Sequence, residues 1–167
     1  MGLRATRRTR KRDQSAHHDD VGAEHERLGA LVGRWKTRGS LTAAAGDAAS
    51  SIESTDTYEW LPGGRALLHR VRALVGDEEL EGAEILGYDP ARRTYVAQYF
   101  GTDGPATYEA SLANEYGGLV LKMRSESERF TGMFSEDGNT IEGHWELLDG
   151  DSHWQPRMDV TLSRQPD

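Results

Sequence analysis

The sequence predicts an all-β protein, an antiparallel up-and-down barrel of about ten strands preceded by one short helix. From Trp35 onward, apolar and polar residues alternate in short segments, which is the pattern of strands with one buried face. Clusters of Gly, Asp, Asn and Pro separate these segments, as in tight hairpin turns. The length of 167 residues fits one domain, since chains of roughly 100 to 200 residues usually form a single core.

Residues 1–23 are predicted to be a disordered basic arm, ahead of a barrel domain over residues 24–167. Six of the first twelve residues are basic and none is acidic. The whole chain carries 20 basic and 28 acidic side chains, a net charge of −8, so the remainder carries 14 basic and 28 acidic groups, or −14. Because the arm lacks aromatic residues and the body is acidic, no nucleic-acid partner is expected.

The composition also excludes several kinds of site. The chain has no cysteine, which excludes disulfides, thiolate metal sites and cysteine nucleophiles. Residues 17–20, two histidines and two aspartates, could hold a metal adventitiously, but a functional metal site needs ligands in fixed geometry, and none is predicted. No apolar run approaches the ~18 residues of a membrane span, and no apolar leader segment follows the charged N-terminus. A cytoplasmic protein without a membrane partner is therefore expected.

A helix is predicted over residues 24–32, where Leu28, Leu31 and Val32 recur at helical spacing and Gly33 follows as a stop. This short helix is expected to plug one end of the barrel. The first strand then begins at Trp35 and buries its side chain.

The first five strands are predicted over residues 35–41, 51–60, 67–74, 80–88 and 94–100. In the second strand, Tyr58 and Trp60 share one parity with the polar Ser54 and Asp56, so the inward face is half polar. In the third strand, the alternation places His69 inward. In the fifth strand, the two faces are about equally apolar, so the alternation does not decide which face points inward.

The other five strands are predicted over residues 107–112, 119–124, 129–134, 140–148 and 154–162. The pair Asp137-Gly138 is typical of a tight hairpin, since both residues tolerate positive φ. In the ninth strand, the alternation places Trp145 inward and His144 toward solvent. Such a meander closes without a free edge and can enclose a cavity.

Several segments, in order, carry a family resemblance: LVGRWKTRG at 31–39, YEWLPGGR at 58–65, EGAEILGYDP at 81–90, and the stretches 130–145 and 154–164. From Glu24 onward the chain resembles the DUF1579 family of uncharacterised, calycin-like proteins. Gly33 and Trp35 also resemble the GxW opening of lipocalins, fatty-acid-binding proteins and nitrobindins. The resemblance implies that Trp35 closes one end of the barrel and meets Arg164 from the last strand, a structural role.

The resemblance further implies an internal pocket for a small hydrophobic or amphipathic ligand, with no established chemistry. The inward residues expected to line it are Tyr58, Trp60, His69, Tyr99, Met123 and Trp145. Large inward aromatics fill a core more often than they line a site, and an inward histidine is more often a hydrogen-bonded interior group than a ligand contact. Whether the barrel is hollow or solid stays open.

A haem cofactor is the first alternative, because nitrobindins resemble this fold and ligate haem through a histidine late in the chain. Here the last strand offers Met158 and no histidine, while His144 points outward and His153 lies in a turn. An axial ligand must be held on the barrel interior. No haem is therefore expected.

An enzyme is the second alternative. Asp56, His69 and Glu84 could converge inside the barrel, where carboxylates and a histidine can perform acid and base catalysis. The GxSxG, GxxxxGK[ST], GxGxxG and HExxH motifs are absent. The sequence thus favours non-catalytic binding of a small hydrophobic or amphipathic molecule, and it is equally compatible with a homodimer formed through a sheet face.

Overall fold

The computed structural model describes residues 15–42 and 50–166. Ten antiparallel strands form one closed barrel in which each strand pairs with its neighbours in sequence and the first strand pairs with the last. This confirms the predicted all-β class, the strand number and the up-and-down order. Closure satisfies the backbone of every strand on both sides, so no edge is left to pair with another chain.

The strands are β1 Gly33–Leu41, β2 Ser51–Trp60, β3 Ala66–Val75, β4 Glu78–Asp89, β5 Thr94–Gly101, β6 Gly104–Glu115, β7 Gly118–Arg124, β8 Glu128–Phe134, β9 Thr140–Leu148 and β10 Trp154–Gln165. The register between β10 and β9 shifts between Pro156 and Met158. Proline cannot donate to the ladder and is commonly found at such bulges.

One helix, α1 Ser15–Leu28, leads into a short 3₁₀ turn, Gly29–Leu31. The prediction of a disordered basic arm over residues 1–23 stays a prediction. The helix was predicted over 24–32, so it begins earlier than expected. Once a helix is nucleated, each further residue adds a hydrogen bond at little cost, which a pattern of apolar residues does not reveal. Residues 1–14 lie outside the described residues. No helix in the described part of the chain is long and apolar enough to span a membrane.

The 3₁₀ turn closes one end of the barrel, which we call the helix end. Leu28 and Leu31 are each 1% exposed and pack against the fully buried Trp35. The connections β3–β4, β5–β6 and β7–β8 lie at the opposite end, which we call the turn end.

Trp35 and Arg164 tie the helix end together. The indole Nε1 of Trp35 donates to the carbonyl of Leu31 at 2.8 Å, and the Arg164 guanidinium lies 4.2 Å from the centre of the indole ring. Arg164 also donates to the carbonyls of Ala30, at 2.8 Å, and Val32. Ala30 lies in the 3₁₀ turn and Val32 follows it, so the side chain of Arg164 from β10 holds the turn against the end of the barrel.

Replacing Trp35 by alanine is expected to lower the free energy of unfolding by about 3 to 5 kcal/mol, because a fully buried indole leaves a cavity and an unpaired carbonyl. Urea denaturation of the purified variant measures this change. The control is Phe100→Ala, since Phe100 is 66% exposed, and a change within about 0.5 kcal/mol is expected there. Equal effects of the two substitutions would contradict the role assigned to Trp35.

Candidate functional site

A cavity of about 260 Å³ lies inside the barrel and is lined by side chains from all ten strands and the 3₁₀ turn. Its two sides differ in chemistry. Strands β1 to β4 contribute a polar wall, made of Thr37, Ser54, Asp56, Tyr58, His69, Val71 and Glu84. Strands β7 to β10 contribute an apolar wall, made of Leu121, Met123, Phe130, Ile141, Trp145, Met158, Val160 and Leu162, apart from Glu128 at the start of β8.

The polar wall is organised around the carboxylate of Asp56, which is 6% exposed. Its Oδ2 accepts hydrogen bonds from the hydroxyls of Thr37 and Ser54, both at 2.7 Å. Its Oδ1 lies 3.0 Å from Nε2 of His69. Three neighbouring strands therefore supply the groups that compensate the buried carboxylate, as such a charge requires.

His69 lies between two carboxylates. It is directly opposite Glu84 in the β3–β4 register, and its Nδ1 is 3.4 Å from Glu84 Oε1. That distance allows an ion pair, but the geometry is not that of a hydrogen bond, and Nδ1 is buried without a hydrogen-bond partner among the described residues. The Tyr58 ring stacks on the imidazole, with ring centres 4.1 Å apart and planes 3° from parallel.

The two carboxylates decide the charge of the histidine. Burial alone lowers the pKa of His69, but the interactions with Asp56 and Glu84 outweigh it and raise the pKa to about 9. Burial alone raises the pKa of Asp56, but the hydrogen bond and charge of His69, with the hydroxyls of Thr37 and Ser54, hold it below its usual value. At neutral pH, His69 is an imidazolium.

Two further acids face the cavity from the turn end, each hydrogen-bonded to a tyrosine. The hydroxyl of Tyr99 donates to Asp103 at 2.9 Å, and that of Tyr108 donates to Glu128. Burial, then the hydrogen bond to Asp103, raises the pKa of Tyr99 to about 12. Both hydroxyls are therefore donors at neutral pH, already used by a carboxylate.

Two pairs of facing glycines make room for aromatic rings along the wall. Gly132 and Gly143 face each other across β8 and β9, and a Cβ atom at Gly143 would lie 2.5 Å from the Phe130 ring. Gly82 and Gly101 hold the ring of Tyr99 in the same way, with a Cβ of Gly82 2.3 Å from it. Because both rings rest against bare backbone, they occupy less of the cavity.

Five of the six residues predicted to contact a ligand line the cavity: Tyr58, His69, Tyr99, Met123 and Trp145. Trp145 forms an aromatic cluster with Tyr108 and Phe130, at 6.1 and 5.1 Å between ring centres. Their role in binding stays a prediction.

Trp60 is the exception. It is 38% exposed and lies beside Gly29 of the 3₁₀ turn, outside the cavity. The alternation along β2 predicts an inward position correctly as far as Tyr58. At Trp60 the helix end is already occupied by the 3₁₀ turn, so the ring covers that turn from outside.

Asp103 and Glu128 are the acids that the sequence analysis missed. Asp103 lies in the β5–β6 turn, where strand alternation gives no direction for a side chain. Glu128 is the first residue of β8 and lies just before the predicted start of that strand at residue 129. The facing glycine pairs were missed as well, because a pairing register is needed to bring them together. Asp56, His69 and Glu84, by contrast, do come together.

A family model for proteins of unknown function, DUF1579, matches residues 20–133. The chain belongs to this family. No match was found among curated proteins. The DUF1579 assignment agrees with the segments that carry the resemblance in the sequence.

Two solved structures show the same fold. The crystal structure of Rv2717c from M. tuberculosis has a TM-score of 0.65 and 11% identity, covering 88% of this DUF1579 chain and 98% of the other. The S-type phycobiliprotein lyase CPES from Guillardia theta has a TM-score of 0.57 and 11% identity, covering 90% and 98%. At such identity the likeness concerns the fold alone.

The stability of this DUF1579 barrel is expected to fall between about pH 6.5 and 9 through His69. A group with a raised pKa in the folded state stabilises it fully below the unfolded value of 6.5, and this contribution is lost as the pH rises through about 9. The shift corresponds to on the order of 3 kcal/mol. Urea denaturation from pH 6 to 9.5 measures it.

His69→Gln is expected to lose this decline, whereas the control His144→Gln, at an exposed position, keeps it. The comparison uses the slope of the unfolding free energy against pH. A general loss of stability in His69→Gln therefore does not affect it. If the free energy of unfolding falls with pH equally in the wild type and in His69→Gln, the raised pKa assigned to His69 would be contradicted.

Proposed function

We propose that the protein binds one small amphipathic molecule inside the barrel, without chemical conversion. The observation that carries the proposal is the division of the cavity into a polar and an apolar wall. Ligand sites commonly combine a mostly apolar lining with a few fixed polar groups. A molecule with one polar end and an apolar body matches both walls.

The size of the cavity limits the ligand. Its volume of about 260 Å³ lies just below the range of roughly 300 to 1,000 Å³ for sites that bind drug-sized molecules. One or two rings with a short substituent fit this space, whereas a tetrapyrrole or a long fatty acid does not.

The polar wall favours binding over general-base catalysis. A general base must be unprotonated at the working pH, but His69 carries its proton up to a pKa of about 9. Asp56 is already committed to three donors. These groups are therefore arranged to hold a fixed charge, which supports a binding role.

Haem has no free histidine ligand in the described part of the cavity. His69 is the one histidine that lines it, and its two nitrogens lie 3.0 Å from Asp56 and 3.4 Å from Glu84. Neither nitrogen presents a free lone pair to iron, so the cavity does not fit a histidine-ligated haem.

The proposal is tested by filling the cavity. The ligand used is 2-naphthalenemethanol, which is neutral and combines one hydroxyl with an apolar bicyclic body. Val160 is 6% exposed and lines the cavity, so a tryptophan there occupies the space. Isothermal titration is expected to show binding to the wild type and an affinity at least about tenfold weaker for Val160→Trp.

The matched control is Thr161→Trp, the next residue on β10, which is exposed and is expected to keep wild-type affinity. Thermal melting checks the fold of both variants. Leu121→Trp fills the cavity from β7 if Val160→Trp is unstable. Absence of binding to the wild type, or undiminished binding to the filled variants, would overturn the proposal.

A further inference from the structure

We propose that the cavity selects organic monocations: small protonated amines whose ammonium group contacts Glu84 and whose apolar body lies on the wall of β7 to β10. This inference rests on the proposed ligand binding and names the chemical class of the ligand. It follows from the hydrogen-bonding state of each carboxyl group in the cavity.

Three of the four carboxyl groups that line the cavity already accept hydrogen bonds from the protein. Asp56 has three partners, one each on β1, β2 and β3. Asp103 and Glu128 each accept from a tyrosine hydroxyl. These groups are positioned by the protein and have less to gain from a ligand.

Glu84 differs from the other three. It is 5% exposed, it lines the cavity, and no described residue donates a hydrogen bond to it. The nearest cation is the His69 imidazolium, at 3.4 Å, which Asp56 already engages at 3.0 Å. Since this carboxylate is buried and its one cation lies at 3.4 Å, a ligand N–H that reaches it adds a hydrogen bond that the protein does not supply.

The hydroxyl of Tyr58 provides a second polar group on the same wall, since Tyr58, His69 and Glu84 lie in one row across β2, β3 and β4. Tyr58 is 8% exposed, lines the cavity, and makes no hydrogen bond to any described residue. Its ring is held in place by stacking on His69. A hydroxyl oxygen can accept one N–H of an ammonium group while a carboxylate accepts another, so the two side chains together match a group with several donors.

The charges around the cavity discriminate against anions. Among the described residues that line it, no lysine or arginine accompanies the four carboxyl groups, and the imidazolium of His69 lies between Asp56 and Glu84. A ligand carboxylate or phosphate would therefore meet like charges without a free cation. A monocation is attracted by the carboxylates that line the cavity.

The apolar wall suits the remainder of such a ligand. The rings of Phe130 and Trp145 pack together there, and the ring of Tyr108 on β6 packs against Trp145. Aromatic faces attract cations and pack against apolar rings. An amine that carries an aromatic or alicyclic body is therefore complementary to both walls at once.

The test compares two ligands of nearly equal shape, 2-naphthylmethylamine and 2-naphthalenemethanol, by isothermal titration at pH 7. The wild type is expected to bind the amine, which is protonated at this pH, at least about tenfold more tightly than the alcohol, since hydrogen bonds to charged groups are the stronger ones. Glu84→Gln keeps the shape of the side chain and removes its charge. It is expected to reduce this preference to less than about threefold.

The matched control is Glu79→Gln, an exposed position on the same strand, which is expected to keep the wild-type preference. Because the readout is the ratio of the two affinities, a general change of affinity in Glu84→Gln does not affect the comparison, and thermal melting checks its fold. If the wild type binds the alcohol as tightly as the amine, or if Glu84→Gln keeps the preference, the selection of cations is overturned while ligand binding stands. If neither compound binds the wild type, the proposed function fails as well.

Discussion

The pairing of His69 with two carboxylates is the constraint on which the interior of this barrel depends. Three titratable side chains on β2, β3 and β4 are removed from water, and each alone would be strongly disfavoured there. Asp56 and Glu84 lie on either side of the imidazole, and two hydroxyls complete the shell of Asp56. A neutral histidine would leave both carboxylates without a cation. The pairing therefore fixes the charge of the polar wall.

Other features of the barrel keep the cavity open beside this polar wall. Arg164 and Trp35 hold the 3₁₀ turn over the helix end, which excludes water from that side. Facing glycines allow Tyr99 and Phe130 to lie against the strands, which keeps large rings from filling the centre. A closed barrel with ten strands can accommodate a cavity in this way, since diameter grows with strand number.

Much of this arrangement follows from strand alternation. The parity of β2 and β3 places Asp56, Tyr58 and His69 inward, and the register of the hairpins then brings them together. Alternation fails where a strand passes beyond the cavity, as at Trp60, and it has no meaning in turns, as at Asp103. The C-terminal end of α1 is docked through Leu28, which is 1% exposed, a tertiary contact that local propensity does not contain.

The charge of His69 tests the account most directly. A ¹⁵N NMR titration of the histidine ring from pH 5 to 10 reports the protonation of both ring nitrogens. His69 is expected to keep both protons through neutral pH and to titrate with a pKa of about 9. A midpoint at or below the ordinary value of 6.5 would mean that the carboxylates do not hold the histidine charged, and it would contradict the described polar wall.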